Sequence, residues 1–353
     1  MDMAKRAPAK KYYRHRGPSA ELIRFKKLAL LATFLALVVV VLGAYTRLSD
    51  AGLGCPDWPG CYGRISVPAT ASDISSAQQA FPDRPLEQAK AWIEMVHRYL
   101  AGTLGLLVAA LALLALLNRK EKKQPVLLPV LLVPLIVSQA LLGMWTVTLL
   151  LKPVIVVAHL LGGMATLALL WWLAMTPARE QTEAGNSLLA KASLLALLLL
   201  SAQIALGGWT SSNYAALACP DFPTCQDAWW PETDFYSGFD LHHPLDAELG
   251  SDYAGGVLEH PARVAIHLSH RIGALIVVAV NLMLGFLLFS RSENNAVAQS
   301  GIALISITAI QVAIGIAIVR FGLPLPLATA HNGMAALLLL SLLTTNRLLR
   351  LKI

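Results

Sequence analysis

Charge is scarce in this sequence: Asp, Glu, Lys and Arg make up only 14% of its 353 residues, and hydrophobic residues make up 56%. This balance excludes an ordinary soluble domain. No small-residue cleavage site follows the first apolar run, which argues against a removable signal peptide. The middles of the apolar runs also lack charged residues, which counts against a transporter built on broken central helices.

The apolar residues are grouped in runs of about 20, enough to cross a hydrocarbon core of roughly 30 Å. Eight runs are present, at 28–46, 92–117, 125–150, 154–175, 188–210, 263–290, 298–320 and 326–346. Because a bilayer offers no water to pair with backbone groups, each run must be helical. The sequence therefore predicts an all-α integral membrane protein with eight transmembrane helices.

The distribution of basic residues predicts the orientation. Nineteen of the 28 Lys and Arg residues lie on one side of the predicted membrane, including nine in the tail that ends at Lys27 and four in the 118–124 loop. The positive-inside rule places this side, with both termini, in the cytoplasm. The net charge of +7 is thus interpreted as a topology signal with membrane lipid contact, and not as a sign of nucleic-acid binding.

The two halves of the chain repeat one another. Matching residues recur after 164 to 173 positions: Gly43 and Gly207, Cys55/Cys61 and Cys219/Cys225, His97-Arg98 and His270-Arg271, His159 and His331. Internal repeats of this kind decide architecture. Each copy has four spans and returns to its starting side, which predicts two tandem, parallel-oriented four-helix bundles related by a pseudo-twofold axis.

The repeat defines the predicted domains. They are a basic cytoplasmic tail at 1–27, an N-terminal half at 28–177, a cytoplasmic linker at 178–187, a C-terminal half at 188–346 and a cytoplasmic tail at 347–353. Three odd-numbered spans also share a Gln-x3-Gly motif, at Gln139, Gln203 and Gln311. We interpret it as close helix packing with hydrogen bonds across the interface; direct ligand contact is the alternative.

The four cysteines form two Cys-x5-Cys pairs in outer loops. An oxidising compartment favours the disulfides Cys55–Cys61 and Cys219–Cys225. They are interpreted as loop staples, or alternatively as redox-active or partner-docking elements, because small exposed disulfides are easily reduced. No metal-spaced histidine accompanies either pair, which argues against a zinc site.

Four histidines lie near the outer ends of the even-numbered spans: His97, His159, His270 and His331. Ionisable residues at such depth are costly and usually functional. Two imidazoles from different helices of each half could face one another, as bis-histidine heme ligation requires. A single histidine in an apolar helix is more often a packing residue, but four at matched repeat positions favour heme ligation.

The residues beside these histidines differ between the halves. Arg98 and Arg271 directly follow a histidine, and each either anchors its helix at the interface or pairs with a heme propionate. Glu94 lies three residues before His97, on the same helix face, whereas His267 occupies this place in the second half. Glu94 either forms a salt bridge with Arg98 or acts as a proton acceptor or cation stabiliser. This asymmetry predicts a site of reaction in the N-terminal half and a site that only holds a bound group in the C-terminal half.

The combined pattern resembles the heme A synthase family of cytochrome oxidase assembly. The resemblance covers nearly the whole chain: duplicated four-span halves, Glu94-x-x-His97-Arg98 opening the second span, further histidines in spans four, six and eight, and cysteine pairs in the first and third outer loops. It implies an oxidoreductase that oxidises the C8 methyl of heme O to a formyl group by successive hydroxylations.

The resemblance also implies site residues and partners. A heme B cofactor is expected on His270 and His331, and heme O near His97 and His159, with Glu94 as the catalytic residue. A role in activity is implied for the first cysteine pair. The expected location is the bacterial inner (plasma) membrane, with heme O synthase as donor, an unidentified electron acceptor and a second copy of the chain as candidate partners. The alternative is a membrane electron-transfer cytochrome with two bis-histidine hemes.

Overall fold

The computed structural model describes residues 19–121, 123–176, 187–241 and 253–350. Within these ranges, eight helices are long and apolar enough to cross a membrane: α1 (Ala20–Leu48), α3 (Gln88–Leu117), α4 (Leu127–Thr148), α5 (Pro153–Ala174), α6 (Ser187–Ser212), α8 (His260–Arg291), α9 (Asn295–Arg320) and α10 (Leu325–Arg350). Two shorter helices, α2 (Ala71–Ala80) and α7 (Phe235–Phe239), lie in connecting segments. The prediction of eight spans in an all-α protein is confirmed.

Several helices extend beyond the apolar runs that predicted them. Helix α1 begins at Ala20, inside the predicted tail, because Ser19 caps its first turn by accepting a hydrogen bond from the Leu22 amide at 3.3 Å. Helix α10 continues past 346 to Arg350. The basic side chains of its last turn interact favourably with the unpaired carbonyls at the negative end of the helix dipole. Hydropathy identifies the part of a helix that crosses the hydrocarbon core of the membrane, but it does not identify the residues at which the helix begins and ends. Of the predicted linker at 178–187, residues 178–186 lie outside the described residues and Ser187 begins α6.

The long helices contact one another in two circuits. Helix α1 packs against α3 and α5, and α4 packs against the same two helices. Helix α6 packs against α8 and α10, and α9 packs against that pair. Contacts of α1 with α10, α5 with α6 and α5 with α10 join the circuits. Large apolar side chains such as Leu106 and Leu275 point outward, exposed by 74% and 71%, as lipid-facing positions require.

A polar contact joins the C-terminal ends of α1 and α6. Arg47 donates from Nη2 to the Ser211 carbonyl at 2.8 Å and from Nη1 to the Tyr214 hydroxyl at 3.1 Å. The guanidinium also lies over the Tyr214 ring, 4.3 Å from its centroid, a favourable cation–π geometry. The Tyr214 hydroxyl in turn donates to Asp50 at 3.0 Å. These interactions link the first and second sequence repeats on the side that carries the cysteines.

Helices α8 and α9 pack backbone to backbone through two glycines. A Cβ added at Gly301 would lie 2.6 Å from the Gly285 carbonyl oxygen, a distance that the backbone cannot accommodate without moving. Small residues allow this close approach, which is a principal source of helix association in membranes. By contrast, a Cβ added at Gly102 in α3 would meet no atom within 4 Å.

We expect Gly301→Ala to lower the free energy of unfolding by about 1–3 kcal/mol, because the added methyl overpacks the α8–α9 contact. The matched substitution Gly102→Ala adds the same methyl in open space and should leave stability unchanged or slightly raised. Thermal unfolding of the two variants in detergent measures the difference. Equal melting temperatures would contradict the close α8–α9 approach.

Candidate functional site

Each of the four membrane histidines lies against a glycine of an adjacent helix. The distance from a Cβ built on the glycine to the imidazole Cε1 is 3.0 Å for Gly43 and His97, 3.4 Å for Gly143 and His159, 3.2 Å for Gly207 and His270, and 3.2 Å for Gly315 and His331. A Cβ would crowd the ring at Gly43, Gly207 and Gly315 and would be in direct contact with it at Gly143. The four helix pairs α1–α3, α4–α5, α6–α8 and α9–α10 therefore place their imidazoles in the same way.

The four imidazoles fall into two pairs. His97 of α3 lies near His159 of α5, and His270 of α8 lies near His331 of α10. In three of the four rings Nδ1 is buried and has no hydrogen-bond partner among the described residues: His97, His159 and His331. An unpaired polar atom in such surroundings is costly. Paired imidazoles, three of which have an unpartnered nitrogen, are a donor set that fits axial ligation of a heme.

A carboxylate and a guanidinium attach the first cysteine loop to helix α3. The Cys55 amide donates to Glu94 Oε2 at 2.9 Å, and Arg98 forms an ion pair with Glu94 Oε1. Arg98 also donates to the carbonyl oxygens of Asp57, at 2.9 Å, and of Gly60. The salt bridge foreseen for Glu94 is thus present, and the same carboxylate contacts the loop. Glu94 is 4% exposed.

The second cysteine loop is attached to α8 by a histidine in place of the carboxylate. The Cys219 amide donates to His267 Nδ1 at 3.2 Å. Arg271 donates to the carbonyls of Cys219 and Thr224, at 2.9 and 2.7 Å. No role was predicted for His267 from the sequence. The signal was its position three residues before His270, the same offset that separates Glu94 from its histidine.

Both cysteine pairs are joined by disulfides, Cys55–Cys61 with an S–S distance of 2.04 Å and Cys219–Cys225 with 2.01 Å. Within the second loop, Asp221 accepts hydrogen bonds from the Thr224 hydroxyl and from the Gln226 amide. The Thr224 hydroxyl, with backbone amides, lowers the pKa of the Asp221 carboxyl to about 2. Because this pKa is depressed, the carboxylate supports the loop at neutral pH and stops doing so only as pH falls through about 2.

The two arginines make contacts that their sequence positions did not predict. Arg98 and Arg271 both direct their guanidinium groups at carbonyls of the adjacent cysteine loop. Five donors on a rigid planar group suit such multiple attachment. Pairing of either side chain with a heme propionate stays a prediction.

His260, the first residue of α8, lies 2.6 Å from Gln226 through its Nε2 atom, while His242 and His243 lie outside the described residues.

The fold and the site define a multi-pass α-helical membrane protein with two histidine pairs near two disulfide-closed loops. Residues 26–343 match the family described as cytochrome oxidase assembly protein. The chain is 47% identical over 318 residues to a heme A synthase of Shewanella oneidensis, covering 88% of this chain and 92% of that protein. Heme A synthases of Chelativorans sp. and Halalkalibacterium halodurans are 29% and 26% identical over 321 residues, covering 85% and 88% of this chain and 84% and 92% of theirs.

The chain belongs to the heme A synthase family, whose members are oxidoreductases that convert heme O to heme A. Membership agrees with the resemblance found in the sequence. The eight apolar helices and the bacterial relatives fit a multi-pass protein of the inner membrane.

Replacement of His267 tests its contact with the second loop. We expect His267→Leu to leave the buried Cys219 amide without an acceptor, which costs about 1–3 kcal/mol, and to speed reduction of Cys219–Cys225 by dithiothreitol. His267→Asn places an amide oxygen near the position of Nδ1 and should retain most of the resistance to reduction. Thiol alkylation followed by mass spectrometry measures both rates. Equal rates in the two variants would show that the hydrogen bond does not hold the loop.

Proposed function

We propose that the chain oxidises the C8 methyl of heme O to a formyl group by successive hydroxylations, producing heme A for cytochrome oxidase assembly. The observation that carries the proposal is the buried carboxylate of Glu94 on the helix face of one histidine pair only. Two equivalent pairs alone would suit an electron-transfer cytochrome equally well. The carboxylate gives one pair a group that a purely redox protein does not need.

The proposed architecture is two tandem four-helix halves, 28–177 and 188–346, related by a pseudo-twofold axis along the membrane normal. The two circuits of helix contacts support it. So does the similar attachment of the two loops, in which Arg98 contacts the Asp57 carbonyl and Arg271 contacts the Asp221 carbonyl. The excess of basic residues opposite the cysteine loops supports cytoplasmic termini.

We assign the substrate heme O to His97 and His159, and a heme B cofactor to His270 and His331. When bound, heme B supplies one-electron redox chemistry. The chain's own contribution in the C-terminal half is to fix that group with two imidazoles, each opposite a glycine. In the N-terminal half the same arrangement of imidazoles orients heme O. The Glu94 carboxylate is a further group in this half that has no counterpart in the C-terminal half.

Glu94 is proposed to act on the substrate methyl from a fixed orientation. Its Oε2 atom is held by the Cys55 amide and its Oε1 atom by Arg98, so the side chain does not rotate away from the face it shares with His97. From this position the carboxylate accepts a proton or stabilises positive charge that develops at the methyl carbon. The Cys55–Cys61 loop covers the group and limits its contact with water, which links this disulfide to activity.

The remaining assignments complete the proposal. Arg98 and Arg271 lie one residue after a ligand histidine, where a propionate would add to their loop contacts. Heme O synthase is the proposed donor of the substrate, and an unidentified acceptor takes the electrons. A homo-oligomer is the proposed assembly.

We expect Glu94→Gln to lower formation of heme A from heme O by about 10²–10⁴-fold, the usual contribution of a general acid or base. The amide can still accept from the Cys55 amide, so loop attachment is largely retained. The measurement is extraction and chromatography of hemes after expression with a source of heme O. Glu87→Gln, on the exposed end of the same helix beside Lys90, is the matched control.

Two outcomes would overturn the proposal. Wild-type levels of heme A from Glu94→Gln would remove the catalytic role of that residue. Heme B alone in the wild-type protein, with heme O unchanged during turnover, would favour the electron-transfer cytochrome.

A further inference from the structure

Glutamine amides hold both imidazoles of the C-terminal half. Gln203 Nε2 lies 3.0 Å from His270 Nδ1 and donates to the His270 carbonyl at 2.8 Å. Gln311 Nε2 lies 3.2 Å from His331 Nε2. Each glutamine lies four residues before the glycine that faces the same ring, one helical turn away. The glycine gives the ring room, and the glutamine fixes its rotation.

The equivalent position next to His97 is apolar. Gly43 faces this ring, and the residue four positions before Gly43 is Val39, whereas the other three glycines are preceded by glutamine. Val39 packs against the helix core and offers no hydrogen bond. His97 Nδ1 is buried without a partner in the part of the chain that the structure describes.

The other ring of the N-terminal half has a glutamine beside it, as the rings of the C-terminal half do. The Gln139 amide packs against Gly162, three residues after His159, just as the Gln203 amide packs against Gly273, three residues after His270. The Oε1 atom of Gln139 is also buried without a partner among the described residues. Of the four membrane histidines, His97 is therefore the one whose glycine is not preceded by a glutamine one helical turn away.

These amides matter because a histidine that binds a metal through one ring nitrogen donates the N–H of the other to a nearby acceptor. Removal of that acceptor typically weakens metal binding 10–100-fold. The Oε1 atoms of Gln203 and Gln311 are buried without a partner, so an unused acceptor lies on each amide beside a ligand ring. A half-turn of the amide exchanges Nε2 and Oε1, whose assignment is set by the hydrogen bonds they make.

We propose that Gln203 and Gln311 are positioning residues that lock the ligand imidazoles of the C-terminal half, and that Val39 leaves His97 as the releasable ligand of the N-terminal half. The inference rests on the proposed function, because it takes the N-terminal pair as the place where heme O enters and heme A leaves. A resident cofactor benefits from fixed ligands. A substrate must exchange in every cycle, and a weakly held ligand lowers the barrier to release.

The test is the rate at which each heme leaves the full-length purified protein. Excess apomyoglobin captures released heme, and chromatography identifies which heme has moved. We expect heme O and heme A to transfer faster than heme B in the wild type. Val39→Gln should slow transfer of heme O and heme A by about 10–100-fold, and Gln203→Val should speed transfer of heme B by a similar factor.

The matched control is Val38→Gln, which introduces the same amide one residue away. Val38 lines an apolar groove between α1 and α10 together with Leu42 and Thr329, so its replacement should change neither rate. The bis-histidine absorbance spectrum, recorded before mixing, shows that each variant still binds heme.

Unchanged release of heme O and heme A from heme-loaded Val39→Gln would overturn the inference. If that variant does not accumulate, Gln203→Val decides alone, and unchanged retention of heme B would contradict the positioning role. Failure of wild-type protein to convert heme O, with release rates shifted as expected, would reject the proposed function but keep the positioning roles. Normal conversion with unshifted rates would reject the positioning roles alone.

Discussion

A glycine opposite each imidazole is the contact on which the rest of the structure depends. In all four helix pairs a Cβ on that glycine would lie only 3.0–3.4 Å from the ring carbon Cε1. The contact therefore sets how closely the helices approach and at what depth the imidazoles lie. A single added methyl group disturbs a close-packed interior, so the spacing between glycine and imidazole constrains how each pair of helices packs. The residues that attach the cysteine loops lie beside two of these rings, next to His97 in α3 and next to His270 in α8.

On this shared framework the two halves differ through a few side chains. Glu94 and His267 both accept a hydrogen bond from the first cysteine of a loop, yet only Glu94 brings a carboxylate to the imidazole pair. Gln203 contacts the His270 ring, whereas Val39 occupies the corresponding place near His97. The N-terminal half thus combines the Glu94 carboxylate with a histidine, His97, that no glutamine amide holds. The C-terminal half combines the His267 contact to its loop with histidines that glutamine amides hold. The first set suits turnover of a substrate and the second suits retention of a cofactor.

Much of this was predictable from the sequence, because membrane helices are limited by length and hydropathy. The eight spans followed from apolar runs, and the relation of Glu94 to His97 followed from helical periodicity. Helix ends were less predictable, since α1 begins at Ala20 through a capping hydrogen bond that hydropathy does not detect. The contacts of Arg98 and the role of His267 depend on how each cysteine loop folds back onto a helix. That conformation arises from tertiary hydrogen bonds and has no periodic signal.

The central claim is that the two histidine pairs bind different hemes. It is tested most directly by extracting the hemes from His331→Ala and His159→Ala protein, each expressed with a source of heme O. We predict that His331→Ala loses heme B and retains heme O, and that His159→Ala retains heme B and loses heme O and heme A. Loss of heme O from His331→Ala with heme B retained, or equal loss of both hemes from each variant, would contradict this assignment.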